Sequence, residues 1–128
     1  MKIAFTSSDG KTIDQHFGQA SHFWIWEVGP ETAEPIGPVA VLSTGTDEED
    51  RIAARATAIA GCAVVYTQQI GGPAAAKLVA QKIHPMKTNT EVSLRETIER
   101  IQEVLRGNPP PWLRKAMNKG QSASFLED

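Results

Sequence analysis

The residue best suited to metal chemistry lies in a short polar segment near the N-terminus, Asp-Gln-His-Phe-Gly at residues 14–18. His16 is expected in a loop after the first strand, and loops carry functional residues more often than core segments do. A neutral imidazole is a good ligand for iron. The alternative is a solvated loop histidine, with Phe17 buried and Gly18 easing a turn. The spacing alone favours this structural role, so His16 as a ligand needs further support.

A second candidate site is the glycine turn at residues 70–73, where Gly71 and Gly72 precede a proline at the predicted start of a helix. Backbone N–H groups and the helix dipole make such a position suitable for an anion. The segment lacks the Gly-Lys-Ser/Thr of a phosphate-binding loop and the spaced glycines of a dinucleotide fingerprint. A tight turn with nothing bound explains the same residues, because short glycine turns are common. The sequence is therefore compatible with an anion-binding site here but does not require one.

The cysteine count limits the kind of metal site that the chain can build. Cys62 is the only cysteine, whereas an iron–sulfur cluster usually takes about four thiolates from its protein. Cys62 and the three histidines also lack the paired spacing of a zinc site. A single cysteine agrees with a reducing compartment, and we expect a cytoplasmic protein. Any cluster bound here must therefore arrive largely ligated already.

Position along the predicted strands separates the remaining candidates. In open α/β sheets, ligands bind at the carboxyl ends of the strands. This rule favours Ser8 and Asp9 after strand 1, and the glycine turn after strand 4. It counts against Cys62, which opens strand 4 and is expected to be buried. His84 precedes a proline and is expected to be a strand-end histidine rather than a ligand.

Catalytic and nucleic-acid-binding functions lack the parts they need. Two-metal phosphoryl chemistry requires converging carboxylates, but strand 4 supplies none and strand 1 has only Asp9 past its end. The acidic residues 47–50 lie at a predicted helix start, where the helix dipole explains them. The sequence contains no Gly-x-Ser-x-Gly turn, no apolar run long enough to span a membrane and, at a net charge of −2, no basic stripe. We therefore expect a binding protein, not an enzyme.

An α/β fold is expected to position these residues. Hydrophobic periodicity predicts three successive strands, then helices alternating with strands, in the order βββαβαβα. Capping boxes at Thr46 and Ser93 start the first and third helices, and Pro38 places the third strand at an edge. The third helix is expected to carry one apolar stripe, formed by Leu94, Ile98, Ile101 and Leu105. The predicted strands are residues 3–7, 22–28, 36–42, 62–66 and 83–87. Parallel pairing of strands 1, 4 and 5 gives a five-stranded mixed sheet of order 3-2-1-4-5 with about three helices, a ribonuclease-H-like three-layer fold.

Five segments together resemble one protein family. They are residues 3–10, 14–18, 61–66, 70–76 and 107–113, and they carry the Asp-Gln-His-Phe-Gly, Ile-Gly-Gly-Pro and Pro-Pro-Pro-Trp-Leu sequences. In this order they resemble the dinitrogenase iron–molybdenum cofactor biosynthesis family, which includes NifX, the NafY core and the C-terminal domain of NifB. The resemblance runs from about residue 1 to residue 117, which we expect to form a single domain. Residues 118–128 are expected to form a mobile C-terminal tail.

The resemblance implies a ribonuclease-H-like fold and a carrier that has no catalytic activity. Such a carrier transiently holds a preformed iron–sulfur cluster, the NifB product or another precursor of the iron–molybdenum cofactor, and passes it to the assembly scaffold NifEN. The NifB protein and NifEN are therefore the expected partners, with no nucleic acid and no membrane. An alternative is a non-catalytic interaction module that binds the scaffold without a cluster, through the Pro-rich segment around Trp112.

A preformed cluster brings its own sulfides and needs few ligands from the carrier. His16, in the family motif and beside the end of strand 1, is then the first candidate ligand of iron, with His84 and Cys62 as further candidates. The cluster is anionic, so backbone N–H groups can bind it. The residues expected to line this cluster-binding site are Ser8, Asp9, Gly71 and Gly72.

Overall fold

The sheet is centred on two apolar strands, Lys2–Thr6 and Val64–Thr67, whose residues are nearly all buried. Aromatic and β-branched residues favour extended structure, and burial on both faces leaves no place for a polar alternation. The structure is a computed structural model that describes residues 1–42 and 45–119. In this part of the chain the elements are β1 (Lys2–Thr6), β2 (Thr12–Ile13), a short 3₁₀ helix (Phe17–Gln19), β3 (His22–Val28), β4 (Ala33–Ala40), α1 (Glu48–Ala58), β5 (Val64–Thr67), α2 (Gly72–Ala80), β6 (His84–Lys87), β7 (Val92–Ser93), α3 (Leu94–Arg106) and α4 (Pro111–Lys119).

The main sheet has the order β4-β3-β1-β5-β6. β1 pairs antiparallel with β3 and parallel with β5, so Ala4 lies between Ile25 and Val65. β4 adds antiparallel to β3, and β6 adds parallel to β5. The predicted α/β class and five-stranded mixed sheet are confirmed, and these five strands, counted along the chain, lie in the order 3-2-1-4-5. β4 is an edge strand, which pairs with a neighbour on one side only. Pro35 and Pro38 are tolerated there because a proline, which lacks an N–H, can face the unpaired side without loss of a ladder hydrogen bond.

Two features of the described residues differ from the prediction. The short strands β2 and β7 form a separate two-stranded sheet, in which Thr12 pairs with Ser93. Four α-helices are present instead of about three, because the Pro-rich segment continues into α4. Pro111 suits a first helical position, where its fixed φ is helical and its missing N–H has no acceptor to lose. α4 ends at Lys119, and residues 120–128 of the predicted tail lie outside the described part of the chain.

Helices cover both faces of the sheet and divide the core into two clusters. On one face, Phe5 and Val64 pack with the stripe of α3 that the sequence predicted and with Leu113 of α4. The stripe is Leu94, Ile98, Ile101 and Leu105, all buried. On the other face, Ala4 and Val65 pack with residues of α1 and α2. The three-layer arrangement is therefore confirmed.

The helix starts show one corrected and one confirmed cap. α1 is capped by Asp47, whose carboxylate accepts a hydrogen bond of 2.8 Å from the Asp50 N–H, and not by the predicted Thr46. A carboxylate is at least as good a cap as a hydroxyl and also meets the positive end of the dipole. Ser93 caps α3 as predicted, since its Oγ accepts from the Glu96 N–H at 3.2 Å.

Replacing Ser93 by alanine is expected to lower the free energy of unfolding by about 1 kcal/mol, the usual contribution of a serine cap. The physical reason is that the Glu96 N–H loses its acceptor at the start of the helix that covers one face of the core. Urea denaturation of the purified protein measures the change. Ser93→Thr keeps a capping oxygen and serves as the matched control, so equal losses in the two variants would contradict the role of the cap.

Candidate functional site

The loop that carries His16 is fastened to the carboxyl ends of β1 and β5. The carbonyl oxygen of Gln15 accepts hydrogen bonds from Thr6 Oγ1 at 2.9 Å, from Thr67 Oγ1 at 3.1 Å and from the Gln68 N–H at 3.0 Å. Thr6 and Thr67 are both fully buried. A buried hydroxyl needs a hydrogen-bond partner. The Gln15 carbonyl is the partner of both threonine hydroxyls, and the two bonds in turn hold the loop in place. The backbone immediately before His16 is therefore held in one position.

His16 itself is exposed, while its neighbours anchor it from both sides. It lies opposite Gln69 in a short parallel bridge, and the Phe17 N–H donates to the Gln69 carbonyl at 2.8 Å. The Phe17 ring is 1% exposed and lies 5.5 Å from the ring of Phe23 in the core. Phe17 is therefore structural, as the alternative interpretation expected, and His16 presents an imidazole to the surface from a rigid backbone.

The glycine turn follows directly on the segment that faces His16. Gly71 is the N-cap of α2, Gly72 is its first residue and Pro73 follows, as the sequence predicted. Both glycines are exposed, and a Cβ added at Gly72 would meet nothing within 4 Å. The first N–H groups of a helix have no acceptor within the helix and can bind an anion. Only Ile70 separates this helix start from Gln69, so the predicted anion-binding site and His16 lie at the same end of the sheet.

Two arginines of α1, which the sequence analysis did not single out, lie near the same loop, and Arg51 contacts it directly. Arg51 Nη2 donates a hydrogen bond of 2.8 Å to the carbonyl of Gly18, two residues after His16. One turn further along the helix, Arg55 is only 8% exposed. Its Nη1 donates to the Arg51 carbonyl at 3.1 Å. The available signal was their spacing of four residues on a helix that otherwise buries alanine, which places both on one face.

Ser8 and Asp9 lie in the tight turn that follows β1, and their side chains are engaged within it. Ser8 donates through its N–H and Oγ to the carboxylate of Asp14, at 2.9 and 2.6 Å. Asp9 Oδ1 accepts from the Lys11 and Thr12 N–H groups at 2.8 and 3.1 Å. These backbone donors lower the pKa of Asp9, because they stabilise its ionised form. The structure thus gives both residues a part in shaping the segment that leads to His16.

Cys62 and His84 lie at the opposite end of β5 from His16. Cys62 is 2% exposed and precedes Val64, the first residue of β5, while His84 is the register partner of Val64. His16 faces Gln69, which lies five residues after Val64, and this corresponds to roughly 17 Å of extended chain. Within residues 1–42 and 45–119, no group of three or more His, Cys, Asp or Glu side chains is placed to hold a metal ion. The structure therefore does not bring these two candidates together with His16.

His84 has a different environment, because its ring stacks on Trp112 of α4 with centroids 4.1 Å apart and planes at 14°. Burial lowers the pKa of His84, since desolvation disfavours the imidazolium. As the pH falls, His84 is therefore protonated in the unfolded chain at a higher pH than in the folded protein. The neutral ring contributes its full stability above about pH 6.5, and that contribution is lost as the pH falls through the lower pKa of the folded state.

Trp112→Ala is expected to raise the pKa of His84 towards its ordinary value, because the substitution opens one face of the imidazole to water. NMR titration of the His84 ring protons measures the pKa in both proteins. Val104→Ala, an apolar truncation on the exposed side of α3, serves as the control. An unchanged His84 pKa in Trp112→Ala would contradict the view that the stacked indole desolvates the ring.

A cavity of about 440 Å³ lies between β5, β6 and the helices α3 and α4, on the face of the sheet away from α1 and α2. The residues that line it include Val64, Tyr66, Met86, Ile101, Trp112 and the charged Arg100. Burial raises the pKa of Tyr66, so the phenol is neutral at physiological pH. This cavity is apolar and lies on the other face of the sheet from the two arginines. In the described part of the chain, no helix combines the length and apolarity needed to cross a membrane.

Comparisons with known proteins give a consistent result. The family model for the dinitrogenase iron–molybdenum cofactor matches residues 1–104. NifX of Herbaspirillum seropedicae is 38% identical over 128 aligned residues, covering 94% of this chain and 84% of that protein. NifY of Azotobacter vinelandii is 38% identical over 122 residues, covering 91% of this chain and 48% of NifY. The crystal structure of the protein PH0822 shares the fold, with a TM-score of 0.65 at 17% identity over 80% of this chain and 91% of that one.

The matched region contains every element from β1 to nearly the end of α3, including the His16 loop and the glycine turn. The identity to NifX extends over most of both chains, which agrees with the resemblance found in five separate segments of the sequence. The chain therefore belongs to the dinitrogenase iron–molybdenum cofactor family, whose members take part in the biosynthesis of that cofactor for nitrogen fixation.

Proposed function

We propose that the chain is a non-catalytic carrier of a preformed iron–sulfur precursor of the iron–molybdenum cofactor. The cluster is received from the NifB protein, held at the His16 loop and passed to the scaffold NifEN. The observation that carries this proposal is the exposed imidazole of His16, which is fixed through Gln15 to the carboxyl ends of β1 and β5. A ligand held in one position binds with less loss of conformational freedom than one on a mobile loop.

The composition of the chain supports a cargo that arrives assembled. With one cysteine in the sequence, and that cysteine buried at the far end of β5, the His16 end of the sheet has no thiolate to build a cluster. A preformed cluster needs only one or two protein ligands and a counter-charge. His16 supplies the ligand, and the N-terminus of α2 at Gly71 and Gly72 contributes positive partial charge. Few ligands also favour release, which a carrier requires.

Anaerobic titration of the purified protein with the isolated NifB product tests the carrier function. We expect the absorption of the cluster to change on mixing and iron to co-elute with the protein in size-exclusion chromatography. On addition of NifEN, the iron is expected to leave the carrier and appear with the scaffold. Unchanged absorption together with no co-eluting iron would reject the proposal.

The second candidate is an interaction module that binds NifEN without a cluster of its own. The observation that favours it is the apolar cavity beside α3 and α4, with Trp112 in its wall, since buried aromatic anchors dominate protein interfaces. Pull-down of NifEN with cluster-loaded and cluster-free protein separates the two functions. A carrier shows binding or exchange that depends on the cluster, whereas a simple adaptor binds equally in both states.

A further inference from the structure

Two buried side-chain polar atoms in the described residues have no hydrogen-bond partner, and both belong to segments around His16. They are Oε1 of Gln15, next to His16 in the chain, and Nε of Arg55 in α1. Buried polar atoms in folded proteins are nearly always paired, so an unpaired one calls for an explanation. One of the two atoms lies in the His16 loop itself, and the other lies in the helix that contacts this loop through Arg51.

Arg55 is the more costly of the two. Its side chain is 8% exposed, and no Asp or Glu of the described residues lies within ion-pair distance of it. The carbonyl of Arg51 is its only hydrogen-bond acceptor in the described structure. Desolvation, followed by repulsion from the Arg51 guanidinium, lowers the pKa of Arg55. A largely buried charge without an anionic partner is unfavourable to the fold, so an anion bound beside Arg55 would stabilise it.

Arg51 connects α1 to the His16 loop, and Arg55 lies beside Arg51. The Arg55 guanidinium folds against its own helix, where Nη1 bonds the Arg51 carbonyl, and it is close enough to the Arg51 guanidinium to be repelled by it. Arg51, which is exposed, continues to the Gly18 carbonyl in the turn that His16 begins. No Asp or Glu of the described residues forms an ion pair with either arginine, and Asp47 is engaged as the cap of α1. Two neighbouring guanidinium groups therefore lie beside the loop without a carboxylate partner in the part of the chain that the structure describes.

We propose that Arg51 and Arg55 form a charge receptor that holds the anionic cluster against His16. This inference rests on the proposed carrier function and adds the residues that recognise the charge of the cargo. Arg51 makes the outer contact with the sulfides of the cluster, and Arg55 supports it with positive charge in a poorly solvated position, where electrostatic attraction is stronger than in water. The unfavourable burial of Arg55 in the empty carrier is offset when the anion is bound.

The test uses the full chain and a dianionic [4Fe–4S] cluster with four small thiolate ligands as the probe. Arg51→Gln and Arg55→Gln are each expected to weaken binding about tenfold, as loss of a charge-assisted contact does, and to reduce the dependence of affinity on salt. Arg55→Lys keeps the charge and is expected to restore most of the affinity. The matched control is Arg95→Gln, on the exposed side of α3 across the sheet.

A second measurement separates a receptor from a structural arginine. Arg55→Met keeps an apolar stem and removes the buried charge, so the cluster-free variant is expected to melt at a higher temperature than the wild type. A lower melting temperature, or wild-type affinity in both Arg51→Gln and Arg55→Gln, would overturn the charge receptor while leaving the carrier function in place. Failure of the wild-type protein to bind any cluster would instead reject the carrier function. If Arg55→Gln does not fold, the exposed Arg51→Gln decides.

Discussion

Replacing His16 by alanine is expected to lower the affinity for the cluster at least about a hundredfold, more than the loss of an outer-sphere contact at a metal site. The reason is that the imidazole of His16 is the candidate iron ligand that the bridge to Gln69 holds at the carboxyl ends of β1 and β5. The fold is expected to be unaffected, because His16 is exposed and, among the described residues, its ring makes no hydrogen bond or ring contact that supports the core. Anaerobic titration followed by absorption measures the affinity, and urea denaturation measures the stability.

His84→Gln is the matched control, since it removes an imidazole at the other end of β5. We expect this variant to bind the cluster as the wild type does. His16→Cys replaces one iron ligand with another and is expected to recover part of the lost affinity. Equal binding by His16→Ala and the wild type would make His16 a structural residue, and a large loss in His84→Gln would move the binding site to the other end of the sheet.

Local sequence patterns were enough to predict the main sheet. Continuous apolar runs gave β1 and β5, the aromatic run gave β3, and the apolar stripe of α3 was correct residue by residue. These elements are specified by burial, which leaves a periodic signature in the chain. The pair β2–β7 left no such signature, because two residues in each strand are too few for a period and Thr12 meets Ser93 across 81 positions of sequence. α4 was missed because Leu113 is buried, and Trp112 partly buried, by tertiary packing rather than along a long apolar stripe.

Some features of the candidate site could likewise be predicted from local sequence, whereas others depend on the tertiary structure. The rule that ligands bind at strand carboxyl ends placed the His16 loop and the glycine turn correctly at one end of the sheet. The engagement of Asp9 by backbone N–H groups depends on the conformation of a turn, which residue types alone do not determine. Arg55 was invisible for a related reason, because an arginine on an amphipathic helix is usually solvated. Only the packing of α1 against the rest of the fold showed that it is buried.

Thr67→Val is expected to lower the free energy of unfolding by about 1–2 kcal/mol, the cost of losing a buried hydrogen bond. Thr67 Oγ1 lies 3.1 Å from the carbonyl oxygens of both Gln15 and Gln69. A methyl group in its place leaves these carbonyls with the Thr6 hydroxyl and the backbone donors alone. Urea denaturation measures the loss of stability, and hydrogen exchange of the Phe17 N–H reports whether the loop has loosened.

The same substitution is expected to weaken cluster binding, although Thr67 is fully buried and cannot contact the cargo. The reason is that Thr67 fixes the backbone on both sides of the bridge between His16 and Gln69, so its loss lets the imidazole sample positions that do not bind. Thr67→Ser keeps the hydroxyl and is expected to retain both stability and affinity better than Thr67→Val. A Thr67→Val protein with reduced stability but wild-type affinity would show that the clamp serves folding alone, and that the rigidity of the His16 loop does not contribute to binding.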